Sequence, residues 1–276
     1  MNEQALKDRL QAIAKERQIQ FNHCWKQLLL ERFLSRLARS SFSDKFIFKG
    51  GFLLAYLLNI GRETTDLDFL LTRMQANEHA IQGAFEEITT TSASDGFSFA
   101  YQGLSPLTQP HMNYPGYRAT LQALFGRMKD KIHIDVGIGD IVTPQPLHVQ
   151  LFQYRGQPMF ENDISLLVYP IETIFAEKLE TVISKGAANS RMKDYHDLFL
   201  LVREHKLTEP KKLQESLVQT FQNRGTTLQL IIFDEGGLKR LQKLWTAHLH
   251  GLGDIADRLA MPKDINVIIA TINALL

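Results

Sequence analysis

Hydrophobic residues recur at helical spacing over the first forty residues of the chain. Leu6, Leu10 and Ile13 predict a helix over residues 3–17, and a second series of the same kind predicts a helix over residues 22–39. Apolar side chains with this period lie on one face of a helix, which can then pack against a core. The chain is therefore expected to begin with two amphipathic helices.

Beyond residue 44 the pattern becomes one of short strands and helices. Alternating or continuously apolar segments, separated by turn residues, are typical of strands. The predicted strands cover residues 45–48, 66–71, 97–101, 117–125 and 131–136. Helical spacing predicts helices over residues 52–59 and 76–90. This part of the chain therefore contributes both strands and helices to one mixed structure.

The rest of the chain is predicted to be almost entirely helical. Pro144 and Pro146 predict a loop, and helical spacing resumes from Pro170 onward. Breaks in the helical pattern are expected near Gly186, Pro210, Gly236–Gly237 and Pro262. Together the segments predict an α+β protein with a mixed sheet and N-terminal helices over residues 1–165 and a helical C-terminal domain over residues 166–276.

Composition limits the class of protein and its location. A hydrophobic content of 44% in 276 residues excludes wholesale disorder. Cys24 is the only cysteine, so an intramolecular disulfide is excluded, as is usual in a reducing cytoplasm. No apolar run reaches the length of a membrane span, and the first twenty residues mix acids and bases instead of forming a secretory signal. We therefore expect a cytoplasmic protein without a membrane partner.

Charge is balanced overall but not along the chain. The formal net charge is +1, from 31 Lys and Arg against 30 Asp and Glu. Residues 1–49 contain ten basic and five acidic residues, and ten minus five gives a local charge of +5. This excess indicates either solvated helix faces or a basic surface for a phosphate backbone, and the second requires the charges to cluster in space.

Three short elements carry candidate chemistry. Gly50 and Gly51 follow Lys49 at a predicted strand–helix corner, where backbone N–H groups can approach an anion, although such corners often use glycine for structure alone. Asp66 and Asp68 stand two apart on a predicted strand, so both carboxylates project from one face. Two carboxylates this close favour a cation such as Mg²⁺ or Mn²⁺, although two exposed acids at a strand end remain the alternative.

Asp135 is a single acid within an alternating apolar strand. A buried carboxylate without a partner is costly, so Asp135 either faces solvent or belongs to a site. A third carboxylate on a neighbouring strand would complete a two-metal ligand set of the kind that serves nucleotidyl transfer. His133 is expected on the same face as Asp135, and we interpret His133 and His196 as structural residues.

The order of these elements resembles a known superfamily. A strand, Gly-Gly, a short helix, a D-x-D strand and a later acidic strand resemble the nucleotidyltransferase fold of DNA polymerase beta and its relatives. Residues 48–51, Arg62 and residues 65–68 look like the first motif of the AbiEii toxin family. Residues 169–179 resemble that family's lysine-bearing helix, and residues 190–198 resemble its R-x-[KR]-D-x-x-D-L motif.

The resemblance implies a role for each matching residue. Asp66 and Asp68 would hold Mg²⁺ (or Mn²⁺) and the nucleoside triphosphate, with Asp135 as the third carboxylate, and Lys178 and Arg62 would bind phosphates. One of Asp194 and Asp197 would meet the substrate hydroxyl or support Lys178, and the two remain alternatives. Further nucleotide-binding positions would be Lys49, Gly50, Gly51, Thr65, Arg191 and Lys193. On an isolated helix, Lys178 or the Lys193–Asp197 pair would simply be solvated.

The implied activity is transfer of a nucleotide from an NTP to an acceptor hydroxyl, with release of pyrophosphate. In this family the enzyme is the toxin of a toxin–antitoxin or abortive-infection system, so a cognate antitoxin is an expected partner. The 3′ end of tRNA is the preferred acceptor, because the basic N-terminal segment could contact RNA. The alternatives are nucleotidylation of a protein or of a small molecule such as an aminoglycoside, and a catalytically idle binding protein.

Overall fold

A computed structural model describes residues 1–107, 116–161 and 163–276, which form two compact units. Unit 1 consists of Met1–Leu53, Glu63–Gly139 and Pro144–Val168. Unit 2 consists of Leu54–Arg62, Asp140–Thr143 and Tyr169–Leu276. No described helix is long and apolar enough to cross a membrane.

Unit 1 begins with the two predicted helices, α1 (Glu3–Arg17) and α2 (Phe21–Arg39). Asn2 caps α1, because its side-chain oxygen accepts a hydrogen bond from the Ala5 N–H at 2.8 Å. Helix α2 is buried on most of its surface, since it packs against α1 and against the sheet. Both helices are confirmed.

Among the described residues, the sheet of unit 1 has seven strands and is mixed. In chain order the strands of the sheet are β1 (Phe46–Lys49), β2 (Asp66–Leu71), β3 (Ser98–Pro106), β4 (Gly116–Phe125), β5 (Met128–Gly137), β6 (Gln145–Gln150) and β9 (Asp163–Val168). Strands β7 (Gln153–Tyr154) and β8 (Gln157–Pro158) form a separate two-stranded hairpin between β6 and β9 in the chain. Their spatial order is β3-β4-β5-β2-β1-β9-β6. The pairs β2–β5 and β1–β9 are parallel and the other pairs are antiparallel. The predicted mixed sheet is confirmed.

The loop predicted at Pro144 and Pro146 is wrong in part, because Pro146 lies within strand β6. This strand lies at the edge of the sheet, where a residue without an N–H group is tolerated. Strand β9, with which β6 pairs, was not predicted either, although its residues alternate between exposed and buried positions. The sequence pattern therefore underestimated the sheet at this edge.

Two further helices accompany the strands. Helix α3 (Gly50–Leu57) directly follows β1, and α4 (Glu78–Thr90) lies between β2 and β3 in the chain. The core of unit 1 is rich in aromatic rings. Phe46 on β1 contacts Phe69 on β2 and Phe85 on α4 in edge-to-face geometry, with ring centroids 5.9 and 5.5 Å apart. This packing fixes β1 and β2, and therefore the Gly50 corner and the Asp66–Leu71 strand.

Unit 2 is helical, as predicted for the C-terminal part of the chain. Its helices are α5 (Ile171–Lys185), α6 (Met192–Arg203), α7 (Pro210–Arg224), α8 (Glu235–Leu252), α9 (Asp254–Arg258) and α10 (Ile265–Asn273). Gly186 ends α5 and Pro210 begins α7, as expected. The break expected at Gly236–Gly237 is wrong, since both glycines lie in the first turn of α8, which Asp234 caps. The helices pack around Phe175, Tyr195 and Trp245, which are fully buried.

Candidate active site

Three carboxylates lie on one face of the unit 1 sheet, which we call the acid face (Asp66, Asp68 and Asp135). Asp66 and Asp68 alternate with buried Leu67 and Phe69, so the two acids project from the opposite face of β2. Strand β5 runs parallel to β2, and Asp135 is in register with Asp68. The arrangement therefore follows from the alternation that the sequence predicts and from a strand pairing that it does not.

Gly50 lies against the acid face. Its φ of +77° is in the left-handed region, which favours glycine. A Cβ atom at this position would overlap the carboxylate of Asp68. Lys49 is in register with Asp68 on the neighbouring strand, so the Lys-Gly corner and the D-x-D strand meet at one place. The glycine is required by this close approach of a carboxylate, in addition to the turn.

Arg118 is a cation of the acid face that the sequence motifs did not indicate. It lies on β4 in register with Asp135. Its guanidinium donates two hydrogen bonds to Asp135, from Nε to Oδ1 at 2.7 Å and from Nη2 to Oδ2 at 2.8 Å. Nη2 also lies 3.7 Å from Asp66 Oδ2. The hydrogen bonds to Asp135, together with the charges of the three acids, raise the pKa of Arg118 above its ordinary value.

The acid face has the donor chemistry of a divalent-metal site. Carboxylate oxygens are the ligands that Mg²⁺ and Mn²⁺ prefer, and Asp66 and Asp68 fit this requirement. Both oxygens of Asp135 accept hydrogen bonds from Arg118. Within the described ranges no group of three or more His, Cys, Asp or Glu side chains is placed to hold a metal ion.

A second cluster lies within unit 2, and we call it the lysine cluster (Arg62, Lys178, Arg191, Asp194 and Asp197). Lys178 on α5 contacts both acids of α6, with Nζ 3.0 Å from Asp194 Oδ1 and 2.8 Å from Asp197 Oδ2. Arg62 donates two hydrogen bonds to Asp197, from Nε to Oδ1 at 2.9 Å and from Nη2 to Oδ2 at 2.6 Å. The pattern of residues three apart on one helix face therefore serves to hold two cations.

Burial makes the charges of the lysine cluster depend on one another. Burial disfavours the charged form of Lys178, but Asp197 and Asp194 outweigh it, so the pKa of Lys178 is raised. Burial also opposes ionisation of Asp197, but Lys178 and Arg62 hold the pKa of Asp197 well below its usual range. Lys178 and Asp197 are therefore both charged at neutral pH.

The two acids of α6 differ in their remaining hydrogen-bonding capacity. Asp197 is fully buried and both its oxygens accept hydrogen bonds from Arg62. Asp194 Oδ2 lies 3.0 Å from Arg191 Nε, yet the geometry is not that of a hydrogen bond and this buried oxygen has no hydrogen-bond partner. Asp194 therefore retains an acceptor that Asp197 lacks, a distinction that spacing alone could not make.

The other predicted residues take simpler positions. Thr65 and Lys193 are exposed, and Gly51 lies in the first turn of α3. His133 Nδ1 lies 3.2 Å from Thr120 Oγ1 on the neighbouring strand. His196 is fully buried in unit 2, where its ring contacts the Ile60 carbonyl and His248. These contacts agree with the structural interpretation of both histidines.

The sequence matches one protein family over most of its length. The family described as "Nucleotidyl transferase AbiEii toxin, Type IV TA system" matches residues 32–262, which include the acid face and the lysine cluster. The fold and the two clusters thus belong to a protein of the nucleotidyltransferase class. The chain is a member of the AbiEii nucleotidyltransferase toxin family, as its motifs indicate.

Comparison with other proteins adds only distant likenesses. No curated protein matches the sequence. The crystal structure of JHP933 from Helicobacter pylori is 12% identical, with 92% of this chain and 90% of that chain covered and a TM-score of 0.45. A second H. pylori structure, provisionally identified as a nucleotidyltransferase, is 12% identical over 92% and 91% of the chains, with a TM-score of 0.41. Neither likeness supports an assignment, because both TM-scores are below 0.5.

Proposed function

We propose that the protein is a metal-dependent nucleotidyltransferase and the toxin of a toxin–antitoxin system, acting in the cytoplasm and neutralised by a cognate antitoxin. The observation that carries this proposal is the family match combined with an acid face on which Asp66 and Asp68 project together beside Gly50. An idle binding protein would have no need of paired carboxylates whose mutual repulsion favours a cation.

The proposed reaction joins an NMP to an acceptor hydroxyl. The hydroxyl oxygen forms a bond to the α-phosphorus of the NTP, the bond from that phosphorus to its bridging oxygen breaks, and pyrophosphate leaves. A metal ion held by Asp66 and Asp68 would neutralise charge on the phosphates. Lys49, Gly50, Gly51 and Thr65 would bind the triphosphate, with backbone N–H groups at the start of α3 directed to an anion.

Within the lysine cluster, the contacts support different roles for the two acids. Lys178 and Arg62 would offset phosphate charge, with Arg191 and Lys193 as further cations. Asp197 would position Lys178 and Arg62, because it is fully buried and hydrogen-bonded to both. Asp194 would be the acid that meets the attacking hydroxyl, because its Oδ2 has no hydrogen-bond partner whereas both oxygens of Asp197 accept from Arg62. Of the two alternatives, we therefore favour Asp194 as the acid that meets the substrate hydroxyl.

For the acceptor we favour RNA, with the 3′ end of tRNA as the specific candidate. Part of the basic N-terminal segment is used internally, since Arg32 and Arg36 are buried with acids. The support comes instead from Arg9 and Arg155, which lie over the ring of the partly exposed Tyr154 at 5.6 and 5.1 Å. Arginines beside aromatic rings are a common combination on RNA-binding surfaces.

The test is incubation of the protein with each of the four α-³²P-labelled NTPs, Mg²⁺ and total tRNA. We expect label on RNA, with one NTP preferred. Label on protein alone would replace the RNA acceptor by self-modification or protein modification, and label on an added aminoglycoside would identify a small-molecule enzyme. The absence of label from every acceptor would contradict the proposed activity.

Asp66→Ala is the variant that tests the site. We expect loss of both nucleotide transfer and growth arrest, because one of two metal-binding carboxylates is removed, while the unfolding midpoint stays close to that of the wild type. Asp130→Ala is the matched control, since Asp130 is also an acid of the sheet but pairs with Lys26 at 2.8 Å. Full activity of Asp66→Ala would contradict the metal assignment.

A further inference from the structure

Arg118 is the charged residue of the acid face to which the family motifs assign no role. It is held by register, because β4 pairs with β5 so that Arg118 lies opposite Asp135. The contact is a two-point hydrogen-bonded pair, which is the strongest arrangement available to a guanidinium and a carboxylate. A further contact of 3.7 Å to Asp66 places the same guanidinium between two of the three acids.

These contacts compete directly with metal binding. Both oxygens of Asp135 accept hydrogen bonds from Arg118, so Asp135 cannot ligate a divalent ion through a free oxygen without losing at least one of them. Asp66 in turn has a positive charge close to one of its oxygens. The side chain of Arg118 is 38% exposed, so water can solvate the guanidinium once it leaves the acids.

We propose that Arg118 is an internal counter-cation of the acid face, which neutralises Asp135 and Asp66 in the metal-free protein and must release them when a divalent ion binds. The inference rests on the proposed function, because it takes the acid face to be the metal site. Arg118 therefore sets the metal affinity of the protein and limits the metal concentration at which the site fills.

Removal of this cation has two opposite effects. Without metal, Asp135 and Asp66 lose the cation that lies between them and the acids of the face repel one another more strongly, which lowers stability. With metal, the Arg118 guanidinium no longer has to be displaced from Asp135 and Asp66, so the ion binds more tightly and stabilises the folded state more strongly. A residue that merely positioned Asp135 as a ligand would give the reverse result, since its loss would weaken metal binding.

The experiment compares Mn²⁺ binding and thermal unfolding for the full-length wild type and Arg118→Gln. Mn²⁺ affinity is measured by isothermal titration calorimetry, and unfolding is measured in EDTA and in saturating Mn²⁺. We expect Arg118→Gln to bind Mn²⁺ about two- to fivefold more tightly than the wild type, which is the size of effect that the loss of one ion pair produces at a partly exposed site. We also expect a lower unfolding temperature in EDTA and a larger increase on addition of Mn²⁺.

Lys26→Gln is the matched control, because it removes one cation from an ion pair with Asp130 on the same strand as Asp135. Its Mn²⁺ affinity is expected to equal that of the wild type. If Arg118→Gln does not fold in EDTA, Arg118→Lys provides the test, since it keeps the charge but loses the two-point contact with Asp135. Because lysine holds Asp135 more weakly, we expect Arg118→Lys to bind Mn²⁺ more tightly than the wild type, but less tightly than expected for Arg118→Gln.

The outcomes separate this inference from the proposed function. Unchanged or weaker Mn²⁺ binding by the folded Arg118 variants would overturn the counter-cation role. If the wild type then binds Mn²⁺ and Asp66→Ala does not, the metal assignment stands and only the inference fails. If neither the wild type nor the Arg118 variants bind Mn²⁺, the inference and the metal assignment fail together.

Discussion

At the scale of single residues, the chemistry of the acid face depends on one glycine. Gly50 adopts a left-handed backbone conformation, and its missing side chain leaves the space that the Asp68 carboxylate uses. The sequence predicts a glycine corner that approaches an anion. The structure adds that a carboxylate of the protein itself makes that approach, which no local pattern could indicate.

Gly50→Ala is therefore expected to destabilise the protein by about 1–3 kcal/mol, since it combines backbone strain with a steric overlap. The free energy of unfolding in urea measures the effect. Gly83→Ala is the control, because Gly83 lies within α4 and has no neighbouring atom near the position of a new Cβ. There alanine should stabilise the helix by about 0.5–1 kcal/mol. Equal effects of the two variants would contradict the close approach at Gly50.

Charged residues show the same difference between local pattern and tertiary contact. The sequence offers solvated helix faces or a nucleic-acid surface for the bases of residues 1–49. Arg32 and Arg36 fit neither interpretation, because both are buried in unit 1 and pair with Glu161 and Asp95. Their partners lie more than fifty residues away in the chain. Counting charges along a helix could not reveal these pairs.

At the scale of elements, helix α6 organises the lysine cluster. Asp197 on α6 holds Lys178 on α5 and Arg62 from the segment before β2, so one carboxylate ties three parts of unit 2 together. The sequence spacing correctly places Asp194 and Asp197 on one helix face. The spacing does not distinguish the environments of the two acids, because residues three apart lie on the same face of a helix.

Asp197→Asn is expected to cost about 3–5 kcal/mol of stability, because it leaves Lys178 and Arg62 buried without their shared counter-charge. Urea unfolding at pH 7 measures this loss. Lys212→Gln serves as the control, since the Lys212–Glu209 pair is exposed, and its unfolding midpoint should be unchanged. Asp194→Asn should reduce nucleotide transfer with a smaller loss of stability. A stable, inactive Asp197→Asn protein would reverse the roles proposed for the two acids.

The edge of the sheet shows where pattern recognition fails for elements. Pro144 and Pro146 predict a loop, since proline is a strong signal for a break in regular structure. In β6 the position of Pro146 at the sheet edge removes the need for the N–H group that proline lacks. Whether a segment is an edge strand depends on its partner, here β9, and not on its own residues.

At the scale of the whole molecule, a histidine pair makes stability depend on pH. His196 Nε2 donates to the Ile60 carbonyl at 2.8 Å, so Nδ1 accepts from His248 Nε2 at 3.0 Å. Burial lowers the pKa of His196 to about 4, against the opposing influence of Asp197. The folded protein therefore holds His196 neutral, whereas the unfolded chain protonates it near pH 6.5.

Between pH 6.5 and 4 the unfolded state binds the extra proton, so this residue removes stability as the pH falls, by up to about 3 kcal/mol. Burial raises the pKa of Glu31 to about 7, which acts in the opposite direction. The measurement is therefore the difference in unfolding free energy between the wild type and His196→Gln at pH 7 and at pH 4.5. We expect the variant to lose less stability on acidification.

His250→Gln, at an exposed position of α8, is the control and should follow the wild type at both pH values. An identical pH dependence for His196→Gln and the wild type would show that His196 is protonated equally in the folded and unfolded states. That result would contradict the buried, neutral histidine pair.

The sequence by itself determined most of the elements, though not β6 and β9, and also the shared face of Asp66 and Asp68 and the family, because each depends on periodicity or on motif order. It placed Lys178, Asp194 and Asp197 on helices. The domain boundary that it predicts between residues 165 and 166 stays a prediction. Only the tertiary structure decided that β2 pairs with β5, that Arg118 binds Asp135, and that both oxygens of Asp197 accept hydrogen bonds while Asp194 Oδ2 accepts none. These contacts join segments distant in the chain, and their pairing depends on how the whole core packs.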